Sequence, residues 1–199
     1  MSNPYNLTRE PFDYIIDRGQ HELLVALHES NAIEQEWDWY SLNDSIIAWN
    51  TLIEHNSRLS HEAVLKCHAQ LMLTRATIPN SLKGTYRNCN IYIADRQGTA
   101  PTQILEQMTH WIHKQNTLVL EAVTEASQWK GNRASFEKKW SKIFLDEHIA
   151  YEIIHPFADG NGRTGRMFLN WSRVQIGLPI MVIWEETKTT KYYPIFKGK

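Results

Sequence analysis

The segment HPFADGNGRTGR, residues 155–166, gathers the parts of a phosphate site into one short stretch. Gly160, Gly162 and Gly165, three of the chain's nine glycines, fall within six residues and just ahead of a helix start. Glycine lets successive backbone N–H groups converge on one anion, and the first turn of the following helix adds unpaired donors and the positive end of its dipole. Arg163 and Arg166 are three apart and share a face of that helix, which suits a polyphosphate better than a single phosphate. His155 can take the proton of a hydroxyl that attacks phosphorus, because imidazole titrates near neutrality. Asp159 offers the hard oxygen that Mg²⁺ prefers. A base, a metal carboxylate, a backbone cradle and two guanidinium clamps describe phosphoryl or nucleotidyl transfer, in which positioning and charge neutralisation supply most of the rate.

Taken literally, GNGRTG also has the G-x-G-x-x-G spacing of a dinucleotide loop or a kinase glycine loop. The dinucleotide form needs a strand before the first glycine, whereas the approach KIFLDEHIAYEIIHPF repeats at a helical period. Glu185 and Glu186 do stand about 20 residues downstream, as that fingerprint asks. The 34 residues after Gly165 are nevertheless too few for the strands and crossovers still required. A kinase glycine loop is followed by a lysine strand and a catalytic loop, and neither follows here. A Walker loop needs G-K-[ST], which the chain lacks. What remains is an anion site between two helices.

The elements that must position this site read as mostly helical. Phe12, Ile15, Ile16, Leu23, Leu24 and Leu27 form one stripe, interrupted near Gly19, and Ala32, Ile33 and Trp37 open another. Asn43 and Asp44 are the expected N-caps of a helix through Ile46, Ile47, Asn50 and Ile53. Ser60 opens a fourth helix through Val64, Leu65, His68, Leu71 and Met72. Breakers between Ile78 and Gly98 enclose a period-2 stretch, Cys89, Ile91 and Ile93, which predicts a β-hairpin. Pro101 starts a helix with Ile104, Leu105, Met108, Trp111 and Ile112 on its face, and a separate helix is expected over Leu118–Trp129. A long helix spans 136–154, and another carries Met167, Phe168, Trp171 and Val174 to a stop at Gly177 and Pro179. The tail IMVIW, 180–184, reads as a short strand.

The whole chain narrows the function further. At 199 residues it reads as one domain, 1–199, with N-terminal helices over 1–58 and a core over 60–195. Lys and Arg (21) nearly cancel Asp and Glu (22), so no nucleic-acid or membrane partner is expected. The first residues lack the charged start and apolar run of a secretory leader, and a cytoplasmic location is expected. Cys67 and Cys89 are too far apart for a C-x-x-C pair and read as packing thiols. The nine histidines show no zinc-ligand spacing. The tryptophans, among them Trp37, Trp39, Trp49, Trp111 and Trp171, read as core.

HPFADGNGRTGR resembles the signature of Fic (Fido) domain proteins, H-x-F-x-[DE]-G-N-G-R-x-x-R, at every defining position. HIAYEIIHPF resembles the helix that leads into that motif, and LKGTYRNCNIYIAD, 82–95, resembles the family's hairpin flap. The resemblance covers about residues 60–195. It implies a mainly α-helical bundle with a short β-hairpin flap, and transfer of AMP from ATP, with Mg²⁺, to a Ser, Thr or Tyr hydroxyl of a target protein. His155 would be the general base and Asp159 the Mg²⁺ ligand. Gly160, Asn161 and Gly162 would hold the α-phosphate region, Arg163 and Arg166 the outer phosphates, and Phe157 would anchor the loop in the core. The flap, from Asn88 through Cys89, Asn90 and Ile91 to Tyr92, would align the target by strand addition, with Asn90 and Ile91 also near nucleotide. Tyr192 and Tyr193 resemble a tyrosine pair near the adenine pocket. In the signature Gly165 is an unconstrained position between the two arginines.

Many members carry an inhibitory helix with [ST]-x-x-x-E-[GN], and Ser30 to Gln35, SNAIEQ, resembles it within an expected helix of about 30–40. Gln35 departs from the Gly or Asn of that pattern. If the match holds, Glu34 pairs with Arg166 and denies the γ-phosphate its clamp, with Ser30 as the motif's hydroxyl residue. The resemblance leaves room for self-association, a separate antitoxin, a toxin-like role and delivery into a host cell. It also leaves two other chemistries open: a Fic-type enzyme that removes AMP or moves UMP or phosphate, and a regulatory module that binds nucleotide without catalysis.

Overall fold

A computed structural model describes residues 18–55, 58–93 and 96–198 of the chain. The expected stripe residues Phe12, Ile15 and Ile16 lie outside the described residues. The regular elements are α1 (Arg18–Ile33), α2 (Trp39–His55), α3 (His61–Leu71), β1 (Tyr92–Ile93), β2 (Arg96–Gln97), α4 (Ile104–Gln128), α5 (Arg133–Ile154) and α6 (Asn161–Gln175). Short 3₁₀ and π turns follow over 185–196. The mainly α fold with one hairpin is as the sequence predicts. β1 and β2 pair antiparallel, Tyr92 opposite Gln97 and Ile93 opposite Arg96. The ladder is shorter than the Cys89 to Ile93 alternation suggests.

α6 runs through the centre and packs against each of the other five helices. Nearly all of it from Arg163 to Arg173 is buried, polar residues included. The apolar core beside it is aromatic: Trp111 of α4, Tyr151 of α5 and Phe168 of α6 meet with ring centroids 5.0 to 5.7 Å apart. Each such side chain removed from water contributes about 1.5–3 kcal/mol. The Trp111 indole donates to Glu147 O at 3.0 Å, so its one polar atom is satisfied. Ser60 caps α3 by accepting from Ala63 N, and Asn132 caps α5 by accepting from Ala134 N.

Several boundaries differ from the sequence reading, each for a local reason. Ala32 and Ile33 close α1 instead of opening a helix. α2 begins earlier than predicted, because Asp38 accepts from Ser41 N (3.0 Å) and Ser41 Oγ (2.7 Å) and so takes the cap position. Asn43 and Asp44 therefore lie inside α2, where Asp44 is buried and accepts from Thr74 N and Oγ1 at 2.8 and 2.7 Å. The two helices expected over 104–129 are one. The polar residues midway along it are bonded inward, Gln115 to Ser172 and Asn116 to both N and O of Leu59. No strand forms over 180–184, where the side-chain amide of Asn170 pairs with N and O of Met181 as a strand would. Trp49, Trp111 and Trp171 are core, Trp37 is half-buried, and Trp39 is 62% exposed. Cys67 is a buried thiol, but Cys89 lies exposed before the hairpin.

Candidate active site

α5 stops where His155 takes a left-handed backbone (φ 51°, ψ 63°), a conformation rare for a residue other than glycine. Pro156 favours the stop, since the residue before proline is pushed out of the helical region. The turn throws the His155 ring off the helix end. Its Nδ1 lies 3.3 Å from Glu152 O and 3.8 Å from Glu152 Oε2. The His155 carbonyl accepts from Arg87 Nε at 2.7 Å.

The loop from His155 into α6 is held from both sides. Phe157 is fully buried and stacks on the His68 ring, centroids 3.7 Å apart and planes 2° apart. His68 accepts from Gly84 N at Nδ1 (2.8 Å), which leaves its Nε2–H to donate to Asp159 O (3.0 Å). Burial, with Arg163 nearby, pulls the His68 pKa down to about 4, so the ring is a neutral spacer. The Asn161 side chain closes the loop, donating to Phe157 O (2.9 Å) and accepting from Phe157 N (2.8 Å). That side chain is thus occupied by the loop itself. Gly160 (φ 76°) is the N-cap of α6 and has no side chain with which to cap it. The first-turn amides of α6 are left for an anion.

The two arginines separate. Arg163 is buried with Nη2 3.6 Å from Met72 Sδ and 3.8 Å from Asp159 Oδ1, and its Nε has no partner among the described residues. Arg166 reaches α1 instead. It donates from Nε to Ser30 Oγ (2.8 Å), and from Nη2 to Ser30 O (3.0 Å) and Glu34 Oε1 (2.7 Å). Its Nη1 lies 3.3 Å from the Tyr192 hydroxyl. Gly162 gives the Glu34 carboxylate its room, for a Cβ there would stand 2.5 Å from Oε1.

Ser30 is in the last turn of α1 and Glu34 is just past its end, so no separate helix spans 30–40. Glu36 N donates to Asn31 O and Gln35 N to Ala32 O, the paired bonds of a helix end closed by a left-handed residue. Gln35 is that residue, at φ 63°. The Gly or Asn of the family pattern suits this position because those residues enter the left-handed region most readily, and Gln35 enters it at some cost.

Three residues near His155 escaped the sequence reading. Glu152 is buried between His148 Nδ1 (3.9 Å) and His155 Nδ1 (3.8 Å), and its Oε1 has no hydrogen-bond partner among the described residues. Burial pushes its pKa up to about 8, against the pull of Arg166. Burial also drives His148 down to about 3, and its Nε2 meets the Tyr192 hydroxyl at 2.8 Å. Gly165, unconstrained in the signature, proves to be constrained by Glu152: a Cβ there would collide with Oε1. Titratable residues on the inward face of α5, His148 and Glu152, one turn apart, were the available signal. Arg87 carried none, because its contacts are all distant in sequence or irregular.

Asp159 is 42% exposed and its Oδ1 accepts from Gly160 N at 2.6 Å. Among the described residues no cluster of three His, Cys, Asp or Glu forms. One carboxylate beside an anion cradle fits Mg²⁺, which usually completes its shell with phosphate oxygens and water. Tyr192 is buried against Arg166 and His148, so its position is at the arginine end of the cradle, while Tyr193 is exposed. The two rings lie 5.7 Å apart, one buried and one exposed. Asn88, Cys89, Asn90 and Tyr92 are exposed, Ile91 is half-buried, and among the described residues β1 pairs with β2 alone.

The central helix of the bundle begins in an uncapped glycine turn with a histidine and two arginines around it, an arrangement whose chemistry suits an anion. The sequence model of the Fic/DOC family matches residues 58–172, and the chain belongs to that family. It is 24% identical over 144 residues to protein adenylyltransferase fic-1 of Caenorhabditis briggsae, covering 71% of this chain and 24% of that one. It is 23% identical over 183 residues to protein adenylyltransferase Fic of Nematostella vectensis, covering 79% and 39%. The chain thus spans about a quarter to two fifths of the length of these curated relatives. Its fold is that of a Fic domain containing signaling protein from Bacteroides thetaiotaomicron (TM-score 0.66, 17% identity, 90% of this chain and 72% of that one). Residues 134–508 of Fic-1 from C. elegans are also similar (TM-score 0.61, 18% identity, 96% and 58%).

Proposed function

We propose that this chain transfers AMP from ATP to a Ser, Thr or Tyr hydroxyl of a target protein, and that Glu34 restrains it. The observation that carries this reading is the placement of His155 and Arg166 on either side of the uncapped start of α6, with Glu34 on the guanidinium. The relatives named adenylyltransferases support the reaction type.

With Nδ1–H donating towards Glu152 O, Nε2 is the nitrogen of His155 that accepts the proton of the attacking hydroxyl. The hydroxyl oxygen bonds to the α-phosphorus as the bond to the β-phosphate bridge breaks, and pyrophosphate leaves. The amides of the first turn of α6 hold phosphate oxygens, and the orphaned Nε of buried Arg163 suits the same anion. Arg166 holds the terminal phosphate once Glu34 withdraws. Asp159 would hold Mg²⁺, which supplies charge neutralisation on the phosphates. The open edge of β1 suits an extended target segment, which would add to the hairpin as a further strand.

The test is incubation of the full chain and its Glu34→Gly variant with labelled ATP, Mg²⁺ and cell extract. Labelled protein should appear chiefly with Glu34→Gly and disappear in a Glu34→Gly, His155→Ala double variant that still binds ATP. No label from either parent form refutes the reading.

A further inference from the structure

Arg87 is 2% exposed and precedes the hairpin, yet it serves neither phosphate nor carboxylate among the described residues. Its side-chain hydrogen-bond partners among the described residues are all backbone carbonyls. Nε donates to His155 O at 2.7 Å, Nη1 to Cys89 O at 2.7 Å, and Nη2 to Thr99 O at 2.6 Å and Ile154 O at 3.3 Å. Its own backbone N–H donates to Pro156 O at 2.9 Å. One planar guanidinium therefore joins three segments: the entry to the hairpin at Cys89, the exit at Thr99, and the last turn of α5 at Ile154 and His155.

This arrangement has a physical cost and a physical use. Burial lowers the Arg87 pKa, and among the described residues its hydrogen bonds go to neutral carbonyls. A plain structural link could be made by an uncharged side chain. The fork is suited instead to fixing several carbonyls at set distances from one another, since its donors lie in a rigid plane. The His155 carbonyl it grips belongs to a residue in a sparsely populated backbone conformation, whose ring direction follows directly from that conformation. The same guanidinium sets the spacing of the two hairpin feet. Gly98 N donates to Ile91 O at 3.0 Å just beyond those feet, so the ladder starts where the arginine places it.

We propose that Arg87 is a positioning residue that keys the hairpin to His155, so that an acceptor strand laid on β1 arrives in register with the base. The activity consequence rests on the adenylyltransferase reading, but the coupling itself does not. Arg87→Lys keeps the charge, while a single ammonium cannot span Cys89, Thr99 and His155 carbonyls together.

Native-state hydrogen exchange on the full chain reads the coupling directly. In Arg87→Lys the amides of Gly98 and His155 should both exchange at least about tenfold faster, the factor for one lost charge-assisted bond. Core amides of α6, such as Phe168, should keep their rates. Acceleration at Gly98 with His155 unchanged would overturn the proposal, as would equal acceleration of the α6 core, which would make Arg87 an ordinary stabilising residue. In the Glu34→Gly background, Arg87→Lys should lower protein labelling at least about tenfold while ATP half-saturation stays unchanged. A rise in half-saturating ATP with an unchanged maximal rate also overturns it. Absence of labelling in the Glu34→Gly parent refutes the adenylyltransferase reading alone, and exchange then decides on Arg87.

Discussion

Glu34→Gln removes one negative charge from Arg166 and keeps the shape of the side chain. The bond it weakens is 2.7 Å long, between a buried guanidinium and a carboxylate that is 38% exposed. A hydrogen bond to a charged group contributes about 1.5–3 kcal/mol net, and solvent access to Glu34 brings this pair to about 1–2 kcal/mol. A terminal phosphate that needs Arg166 must displace the carboxylate and forgo that energy. The variant should therefore bind a non-hydrolysable ATP analogue about 5–30-fold more tightly. ADP, without a terminal phosphate at that depth, should bind almost unchanged. Titration calorimetry with both ligands at fixed Mg²⁺ measures the difference. Unfolding free energy should fall by no more than that same amount, about 1–2 kcal/mol, because Arg166 keeps Ser30 Oγ, Ser30 O and the Tyr192 hydroxyl. Equal shifts for ATP analogue and ADP, or none for either, would refute the reasoning.

Two further outcomes follow from the groups around Glu152. Gly165→Ala drives a methyl into Glu152 Oε1 and the Tyr151 ring edge, and should cost about 1–3 kcal/mol, seen as a lower thermal midpoint; an unchanged midpoint would show that the helices part freely there. For pH, His68 and His148 are held neutral, at about 4 and 3 against 6.5, so their share of stability is complete above pH 6.5 and is lost as the pH falls. Glu152, at about 8 against 4.5, acts oppositely: its share is complete below pH 4.5 and is lost as the pH rises through 8. His148→Gln should flatten the acid limb, and Glu152→Gln the limb between pH 4.5 and 8, each by up to about 1.4 kcal/mol per pH unit in denaturant titrations. Parallel curves for variant and parent would show the group titrating alike in both states.

Local chemistry made much of the site legible. Glycines, a proline and a following helix specify the turn at 155–161 through short-range sterics, so its anion-binding character needs no distant residue. Helix periods were also readable, and they placed α3, α5 and α6 correctly. Boundaries failed where a polar side chain found a remote partner. Asp44 looks like a cap until Thr74 is brought to it.

The partners of the motif lay beyond sequence reading. Arg163 and Arg166 are three apart on one helix, and spacing alone sets them side by side. Only packing sends Arg163 towards Met72 and Asp159 while Arg166 turns to Ser30, Glu34 and Tyr192. Gly165 shows the same limit, since its missing Cβ matters only when α5 brings Glu152 against it. The sequence by itself determined a glycine turn ahead of a helix with a histidine beside it, because those properties depend on neighbours within one turn of chain. The tertiary structure decided which charge each arginine meets and what holds His155 in place. Burial sets the worth of those contacts, and burial is settled only when α1 and α5 close around α6 and Arg87 ties the hairpin to the end of α5.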